Sequence, residues 1–183
     1  MQRVFFALWP DPHWSEQLLR VAGAAIAEAD GRTLASADLH VTLCFLGAVA
    51  EPALAGLRES AAALRAADFE LDFDALEYWP RSRVLAATSS RLPAAATELA
   101  RALSSGAQAL GLRPGEQPLR PHVTLVRAAA SRKQPPALMR PLCPPLRLAA
   151  RRFYLAQSHE LEPATATAAQ TPRYQRLESW PLE

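Results

Sequence analysis

Hydrophobic positions recur at two spacings along this chain, and each spacing predicts a different kind of element. Apolar side chains spaced three or four residues apart over 12–29, 51–67 and 93–111 predict three amphipathic helices. Asp11 followed by Pro12 is typical of a helix start, because an aspartate caps free N–H groups and proline suits the first helical position.

Apolar runs and period-two alternation predict strands before, between and after these helices. The clearest alternation sets apolar residues against acidic ones over 69–78, as expected for a strand with one exposed face. The other predicted strands cover 3–9, 40–46, 83–89, 122–128, 146–157 and 174–182. Proline-rich or polar composition predicts a loop over 113–121, an irregular connection over 131–145 and a polar loop over 159–172.

The order of these elements lacks the regular alternation of strand and helix that marks a parallel sheet. It therefore predicts an α+β fold with a mainly antiparallel sheet. The length of 183 residues, half of them hydrophobic, predicts one domain over 1–183, built as one body or as two small lobes. A formal net charge of +2 excludes a protein that coats nucleic acid, but it leaves a local basic patch open.

Cysteine usage and apolar run lengths bear on the compartment. Cys44 and Cys143 follow no metal-ligand spacing, and the start of the chain lacks the apolar stretch of a secretory signal. No apolar run is long enough to span a membrane. The sequence therefore predicts a reduced, cytoplasmic protein with no membrane partner.

The tetrapeptide HVTL occurs twice, at 40–43 and at 122–125, in a chain with only four histidines. Alternation along a strand puts His40 and Thr42 on one face and sends Val41, Leu43 and Phe45 to the other, which favours core packing for Phe45. The second copy predicts the same division. If the two strands are neighbours, both histidines and both threonines converge on one cleft.

Such a quartet suits phosphoryl chemistry without a metal. One neutral imidazole can take a proton from water while a protonated one gives a proton to a leaving oxygen, and threonine hydroxyls can donate hydrogen bonds to phosphate oxygens. The alternative is a duplicated structural repeat, although repeated core positions would more simply be apolar. His13 and His159 lie outside the repeats and are interpreted as bystanders.

Two other site chemistries are not favoured. A zinc site would need a pattern such as HxxxH or CxxC, or an acidic partner near the histidines, and none accompanies either repeat. A serine hydrolase of the nucleophile-elbow type would need G-x-S-x-G, which is absent from the sequence. We therefore predict neither a metal nor a cofactor.

The stretches LHVTLCFLG and RPHVTLVR resemble the two signature motifs of the two-histidine (2H) phosphoesterase superfamily, and the chain is most similar to bacterial LigT-like RNA 2′,3′-cyclic phosphodiesterases. The resemblance extends over essentially the whole chain. RVFFALWP is similar to the family's first strand, and RSRVLAA, FYLAQS and RYQRLESWPL are similar to its hairpin and terminal strands.

This resemblance implies a bilobal fold, in which two pseudo-twofold-related lobes of antiparallel sheet with outer helices surround a central cleft. It implies hydrolysis of a 2′,3′-cyclic phosphate to a 2′-phosphate, and reversal of that reaction would join RNA ends by 2′-5′ linkage. His40 would be the proton donor and His122 the proton acceptor, while Thr42, Thr124 and Arg127 would hold the phosphate. The near-twofold site leaves the exchanged assignment of acid and base open.

Residues near the two repeats are further candidates for contacts with the substrate. Strict alternation turns Arg127 away from the cleft unless a bulge or strand end turns it back. Phe6, Phe45 and Trp79 are candidates for stacking on a base, although core packing is favoured for Phe45. Arg81 and Arg83 are candidates for contacts with RNA phosphates. The expected partners are RNA ends, tRNA fragments or cyclic nucleotides, bound by a monomer.

Two alternatives stay open for the function. The substrate could be another cyclic phosphate, such as an ADP-ribose cyclic phosphate, which a substrate panel would reveal. The protein could also be a module that binds a nucleotide or RNA end without turnover. Two titrating histidines argue against the second alternative, because binding alone needs hydrogen-bond donors and no acid–base pair.

Overall fold

The structure is a computed structural model that describes residues 2–115, 117–129, 139–159 and 173–183. Its strands are β1 (Gln2–Leu8), β2 (Arg32–Thr33), β3 (Val41–Val49), β4 (Phe69–Trp79), β5 (Val84–Ser89), β6 (His122–Arg127), β7 (Met139–Ala150), β8 (Arg152–Ser158) and β9 (Tyr174–Pro181). Its α-helices are α1 (Pro12–Val21), α2 (Gly23–Glu28), α3 (Glu51–Ala62) and α4 (Ala94–Ala109), and Ser36–Asp38 forms one turn of 3₁₀ helix.

One antiparallel sheet organises the described residues, which confirms the predicted α+β class. Its strand order is β7-β4-β5-β6-β3-β1-β8-β9, with the short β2 paired to β6. Four strands therefore lie on each side of the contact between β6 and β3. That contact is narrow, because its register contains the single pair Val41–Val123.

Helices cover the sheet through apolar faces of the predicted kind. Helix α1 begins at an aspartate cap, where Asp11 Oδ1 accepts a hydrogen bond of 2.8 Å from the Trp14 N–H. Trp14 is buried; its Nε1–H donates to the carbonyl of Arg147 at 2.9 Å, and its ring meets Phe73 edge-on. Helices α3 and α4 contact each other, and α4 also contacts β3.

Two predicted helices are shorter than the apolar spacing indicates. The helix expected over 12–29 is interrupted at Ala22, where Gly23 follows and a second short helix begins. Glycine weakens a helix interior because it loses the most backbone freedom on folding. The helix expected over 51–67 ends at Ala62, because Ala66 and Asp68 instead hydrogen-bond the main chain of Glu183.

Within residues 139–157, the structure differs from the expected irregular connection and from the expected single, unbroken strand. The expected irregular connection ends at β7, which carries Pro141, Pro144 and Pro145 within its span. These prolines are tolerated because β7, among the strands that the structure describes, lies at an edge of the sheet and pairs only with β4. The single strand expected over 146–157 is divided at Arg151 between β7 and β8. These two strands lie toward opposite ends of the strand order.

Two smaller differences concern short elements and uncovered segments. The two-residue strand β2 and the 3₁₀ turn were not predicted, since two or three residues carry no periodic signal. The expectations for 130–138 and for 160–172, most of the predicted polar loop, lie outside the described residues.

Phe6 and Phe45 lie on neighbouring strands in opposite environments. The Phe6 side chain is 1% exposed and packs against the rings of Phe153 and Trp180, whereas Phe45 is 44% exposed. The candidate role of Phe6 in base stacking is therefore wrong, because its ring has no face open to a ligand. The expected core position of Phe45 is also wrong, for a reason that lies in the register of β3.

We expect Phe6→Ala to lower the free energy of unfolding by about 3–5 kcal/mol, because it empties a closed part of the core. The matched control Phe45→Ala should lower it by less than about 1 kcal/mol, because that ring is already largely in solvent. Urea unfolding followed by circular dichroism measures both. Equal losses would contradict the placement of these two rings.

Candidate active site

The two HVTL repeats meet at the Val41–Val123 pair. Extending this antiparallel pairing by one residue in each direction sets His40 opposite Thr124, and Thr42 opposite His122. Residues directly opposite each other in an antiparallel pair share a face, with Cβ atoms about 5 Å apart. This extension places the four predicted polar side chains on one face, with the histidines at diagonal corners. His40 and Thr42 line one cavity, Thr42 and His122 line a second, and Thr124 lines neither.

A bulge at the leucine of each repeat redirects the residues that follow. Leu43 has no partner between the pairs Phe6–Cys44 and Ala7–Thr42, and Leu125 has none between Leu85–Val126 and Ala86–Thr124. An unpaired residue reverses which face the later side chains occupy. Arg127 and Phe45, each five residues after its histidine, are thereby turned toward the site.

His40 is enclosed by aromatic rings. Its ring centroid lies 4.9 Å from Phe5, 5.0 Å from Trp9 in a stacked arrangement, and 4.6 Å from Tyr174 edge-on. Burial lowers the pKa of His40 to about 4, and the positive charge of Arg127 acts in the same direction. His40 is therefore neutral at pH 7 in the free protein.

The tautomer of His40 follows from its hydrogen bond. Nδ1 lies 2.8 Å from the carbonyl oxygen of Asp38, which can only accept, so Nδ1 carries the proton and Nε2 has the free lone pair. The Asp38 carboxylate in turn accepts a 2.9 Å bond from the Arg173 N–H. Burial raises the pKa of Asp38, although this main-chain bond opposes the rise. Asp38 thereby ties His40 to the segment that presents Tyr174.

His122 repeats this arrangement in a more open setting. Its Nδ1 lies 2.8 Å from the carbonyl oxygen of Arg120, again two residues earlier, and one ring, that of Trp79, meets it edge-on at 4.8 Å. Burial lowers the pKa of His122 below its usual value, and Arg120 and Arg127 add to that effect. His122 is half-buried whereas His40 is buried, so the two imidazoles differ in environment despite identical local sequence.

Glu77 organises the surroundings of His122. Its carboxylate accepts hydrogen bonds from Thr88 at 2.8 Å, from Trp79 Nε1 at 3.0 Å and from Arg120. Burial pushes the pKa of Glu77 up, but these three hydrogen bonds outweigh burial and hold the pKa below its usual value. The Arg120 guanidinium also lies 5.0 Å from the centre of the Trp79 ring. Sequence reasoning missed Glu77, because it resembles the other acidic residues that alternate along β4.

A small cavity of about 230 Å³ lies beside His40 and Thr42, and three arginines, Arg3, Arg127 and Arg173, contribute to its wall. Arg127 donates to the Tyr174 hydroxyl at 3.3 Å. The Nε atoms of Arg127 and Arg173 are buried and have no hydrogen-bond partner within the described parts of the chain. A buried guanidinium with an unused N–H is a strong donor for an anion such as phosphate.

Arg3 and Arg173 were not found from the sequence. Arg3 begins the first apolar run, and Arg173 follows the predicted polar loop, so neither lies near a repeat. Arg83 donates to the carbonyls of Ala128 and Ala129 at 3.2 and 3.3 Å, and neither Arg81 nor Arg83 lines a cavity at the site. Arg83 therefore supports the end of β6, and Arg81 lies exposed in the turn between β4 and β5.

Across 2–115, 117–129, 139–159 and 173–183, no group of three or more His, Cys, Asp or Glu side chains is placed to hold a metal ion. Within the same parts of the chain, no helix combines the length and apolarity needed to cross a bilayer.

Comparisons with known proteins agree with the fold and the repeats. Residues 9–162 match the family model described as the 2′-5′ RNA ligase superfamily. The chain is 33% identical over 129 residues to the RNA 2′,3′-cyclic phosphodiesterase of Escherichia coli, covering 70% of this chain and 73% of that protein. It is 32% identical over 111 residues to the enzyme of the same name from Aeropyrum pernix, covering 57% and 61%. The crystal structure of E. coli LigT complexed with 3′-AMP superposes with a TM-score of 0.83 at 30% identity, covering 99% of this chain and 98% of that one.

The depressed pKa of His40 predicts an acid-labile fold. The folded protein resists protonation of His40 down to about pH 4, whereas the unfolded chain takes up that proton near pH 6.5. The contribution of neutral His40 to the free energy of unfolding is therefore complete above pH 6.5. It is lost as the pH falls toward 4, by up to about 3 kcal/mol. Urea unfolding at a series of pH values measures it.

Two matched variants, His40→Gln and His13→Gln, test whether His40 causes the loss of stability in acid. His13 is the control because it is exposed on α1. The slope between pH 6.5 and 4 should flatten in His40→Gln and persist in His13→Gln. A slope unchanged by His40→Gln would show that His40 is not held neutral by the fold.

Proposed function

The chain belongs to the 2′-5′ RNA ligase superfamily of two-histidine phosphoesterases, and on that basis we propose that it hydrolyses the 2′,3′-cyclic phosphate of RNA ends or nucleotides to a 2′-phosphate. The observation that carries this proposal is the juxtaposition of both His-x-Thr pairs at the β3–β6 contact, beside a cavity lined by arginines. The named relatives, two RNA 2′,3′-cyclic phosphodiesterases, support the same substrate class.

The reaction needs one bond to form and one to break at phosphorus. A water oxygen attacks the phosphorus atom and loses a proton to the free nitrogen of the base, His122. The bond from phosphorus to the 3′ oxygen breaks, and that oxygen takes a proton from the acid, His40. The reaction thus needs one neutral and one protonated imidazole, and it leaves each in the protonation state of the other. Because activity requires both states at once, we expect a bell-shaped dependence of rate on pH.

The assignment of acid and base depends on the bound phosphate. In the free protein His40 is the more buried imidazole and is neutral at pH 7, which by itself favours it as the base. The donor role that the family implies requires the substrate to raise the pKa of His40. An anion beside His40 does this, because it offsets the charge of Arg127 and favours the imidazolium.

Phosphate contacts are proposed for Thr42, Thr124 and Arg127, together with Arg173. The threonine hydroxyls lie on the face shared with the histidines, and the unpartnered Nε atoms of the two arginines are buried at the cavity. Donors fixed in place before the reaction stabilise the charge that develops on the non-bridging oxygens without reorganising.

Further parts of the proposal concern the whole molecule. We assign residues 1–183 to one domain, in which the four-stranded sets on either side of the β3–β6 contact are the two lobes and carry one repeat each. The same site would support the reverse joining of RNA ends by 2′-5′ linkage. We further propose that the protein works as a monomer in the cytoplasm and needs no metal or cofactor.

We expect the protein to convert 2′,3′-cyclic AMP to 2′-AMP in excess chelator. His40→Ala and His122→Ala should each lower kcat by about 10²- to 10⁴-fold, because each removes one proton-transfer group. His13→Ala is the matched control and should retain wild-type kcat. Chromatography of the products measures all four proteins. Absence of 2′-AMP, or wild-type turnover by either site variant, would refute the proposal, and tight binding without turnover would identify a binding module.

A sulfur-substituted substrate separates the acid from the base. Replacing the bridging 3′ oxygen of the cyclic phosphate by sulfur gives a leaving group that departs without a proton, since a thiol has a pKa near 8.5. His40→Ala should therefore recover most of its lost rate on this substrate, whereas His122→Ala should not. Recovery by His122→Ala and not by His40→Ala would show that His122 is the acid and His40 the base.

A further inference from the structure

A second and larger cavity adjoins the 230 Å³ cavity beside His40, which we call the anion cavity. It has a volume of about 1110 Å³ and shares Thr42 and Phe45 with the 230 Å³ cavity, while His122 lies on its wall. The smaller cavity is below the size of about 300–1,000 Å³ that holds an ordinary small ligand, so it fits a phosphate group but not a nucleoside. The larger cavity exceeds that range.

We propose that this larger cavity binds the RNA chain on the 5′ side of the cyclic phosphate, so that an oligonucleotide is a better substrate than a mononucleotide. The inference rests on the proposed function, because it takes the scissile phosphate to lie between His40 and His122. From that position the chain must leave the site, and the cavity beside Thr42 and His122 gives it a continuous path.

Two aromatic rings line the larger cavity. Phe45 is 44% exposed through the bulge at Leu43, and Trp79 is fixed by its hydrogen bond to Glu77. Exposed rings held in place are the usual platforms for bases of single-stranded RNA, because every base offers a flat face for stacking. The main chain also closes this end of the cavity, since the Gly115 N–H donates to the Phe45 carbonyl at 3.2 Å.

Helix α4 lines the same cavity with a polar stripe. The stripe consists of Thr97, Arg101, Ser104, Ser105 and Gln108, which recur at helical spacing and all line the cavity. The buried residues of the same helix, Ala96, Leu99, Leu103 and Ala107, form the other face. Hydroxyls, an amide and an arginine that share a cavity with two aromatic rings suit a sugar–phosphate backbone whose bases stack on those rings.

The test compares a mononucleotide 2′,3′-cyclic phosphate with a trinucleotide RNA that ends in the same cyclic nucleotide. We expect kcat/KM to be at least about tenfold higher for the trinucleotide, the effect of one stacked base. Arg101→Gln should reduce that ratio severalfold by removing a cation beside the chain, and Ser104→Trp should bring it close to one by placing an indole ring in the path of the chain. The matched controls are Arg20→Gln on α1 and Ala109→Trp on α4, both exposed and outside the cavity, which should keep the wild-type ratio.

The outcomes separate the two proposals. If neither substrate is hydrolysed, the proposed function fails. If both are hydrolysed with equal kcat/KM, or if Arg101→Gln and Ser104→Trp keep the wild-type ratio, the cavity does not bind the RNA chain. If the trinucleotide has no advantage but an ADP-ribose cyclic phosphate is strongly preferred over the mononucleotide, the cavity binds a compact dinucleotide-like substrate instead.

Discussion

The pairing of Val41 with Val123 is the contact on which the site depends. It joins β3 and β6 in the middle of the strand order, where the two four-strand halves of that order meet. Its register sets each histidine opposite the threonine of the other repeat. A shift of either strand by one residue would turn the histidine of that strand toward the opposite face, because strand side chains alternate. The valines on either side of this contact are fully buried, so the apolar half of each repeat fixes where the polar half lies.

Identical tetrapeptides nevertheless end in different environments. His40 lies among Phe5, Trp9 and Tyr174, whereas His122 has the ring of Trp79 and the Glu77 network beside it. The positions five residues after the histidines differ as well, with Phe45 following the first and Arg127 the second. The two repeats thus carry unlike neighbours: the smaller cavity lies beside His40, the larger one lies beside His122, and the two imidazoles are buried to different extents.

Much of this arrangement could be predicted from the sequence, because periodicity and the repeat are local signals. The α+β class follows from the order of the predicted helices and strands, and the sharing of a face by His40 and Thr42 follows from side-chain alternation. The bulges at Leu43 and Leu125 could not be predicted, since an unpaired residue is defined by its partner strand, and they decide that Phe45 and Arg127 face the site. Arg173 and Glu77 reach the site only through tertiary contacts, and the edge position of β7 explains prolines that indicated a loop.

The central claim is that the two repeats act as one catalytic unit. The measurement that tests it most directly is kcat of the double variant His40→Ala/His122→Ala on a 2′,3′-cyclic nucleotide, set beside both single variants. Groups that act together in one step lose their joint contribution when either is removed. The account predicts that the double variant is no slower than the slower single variant within a fewfold. Losses that multiply would show two independent contributions and contradict the account.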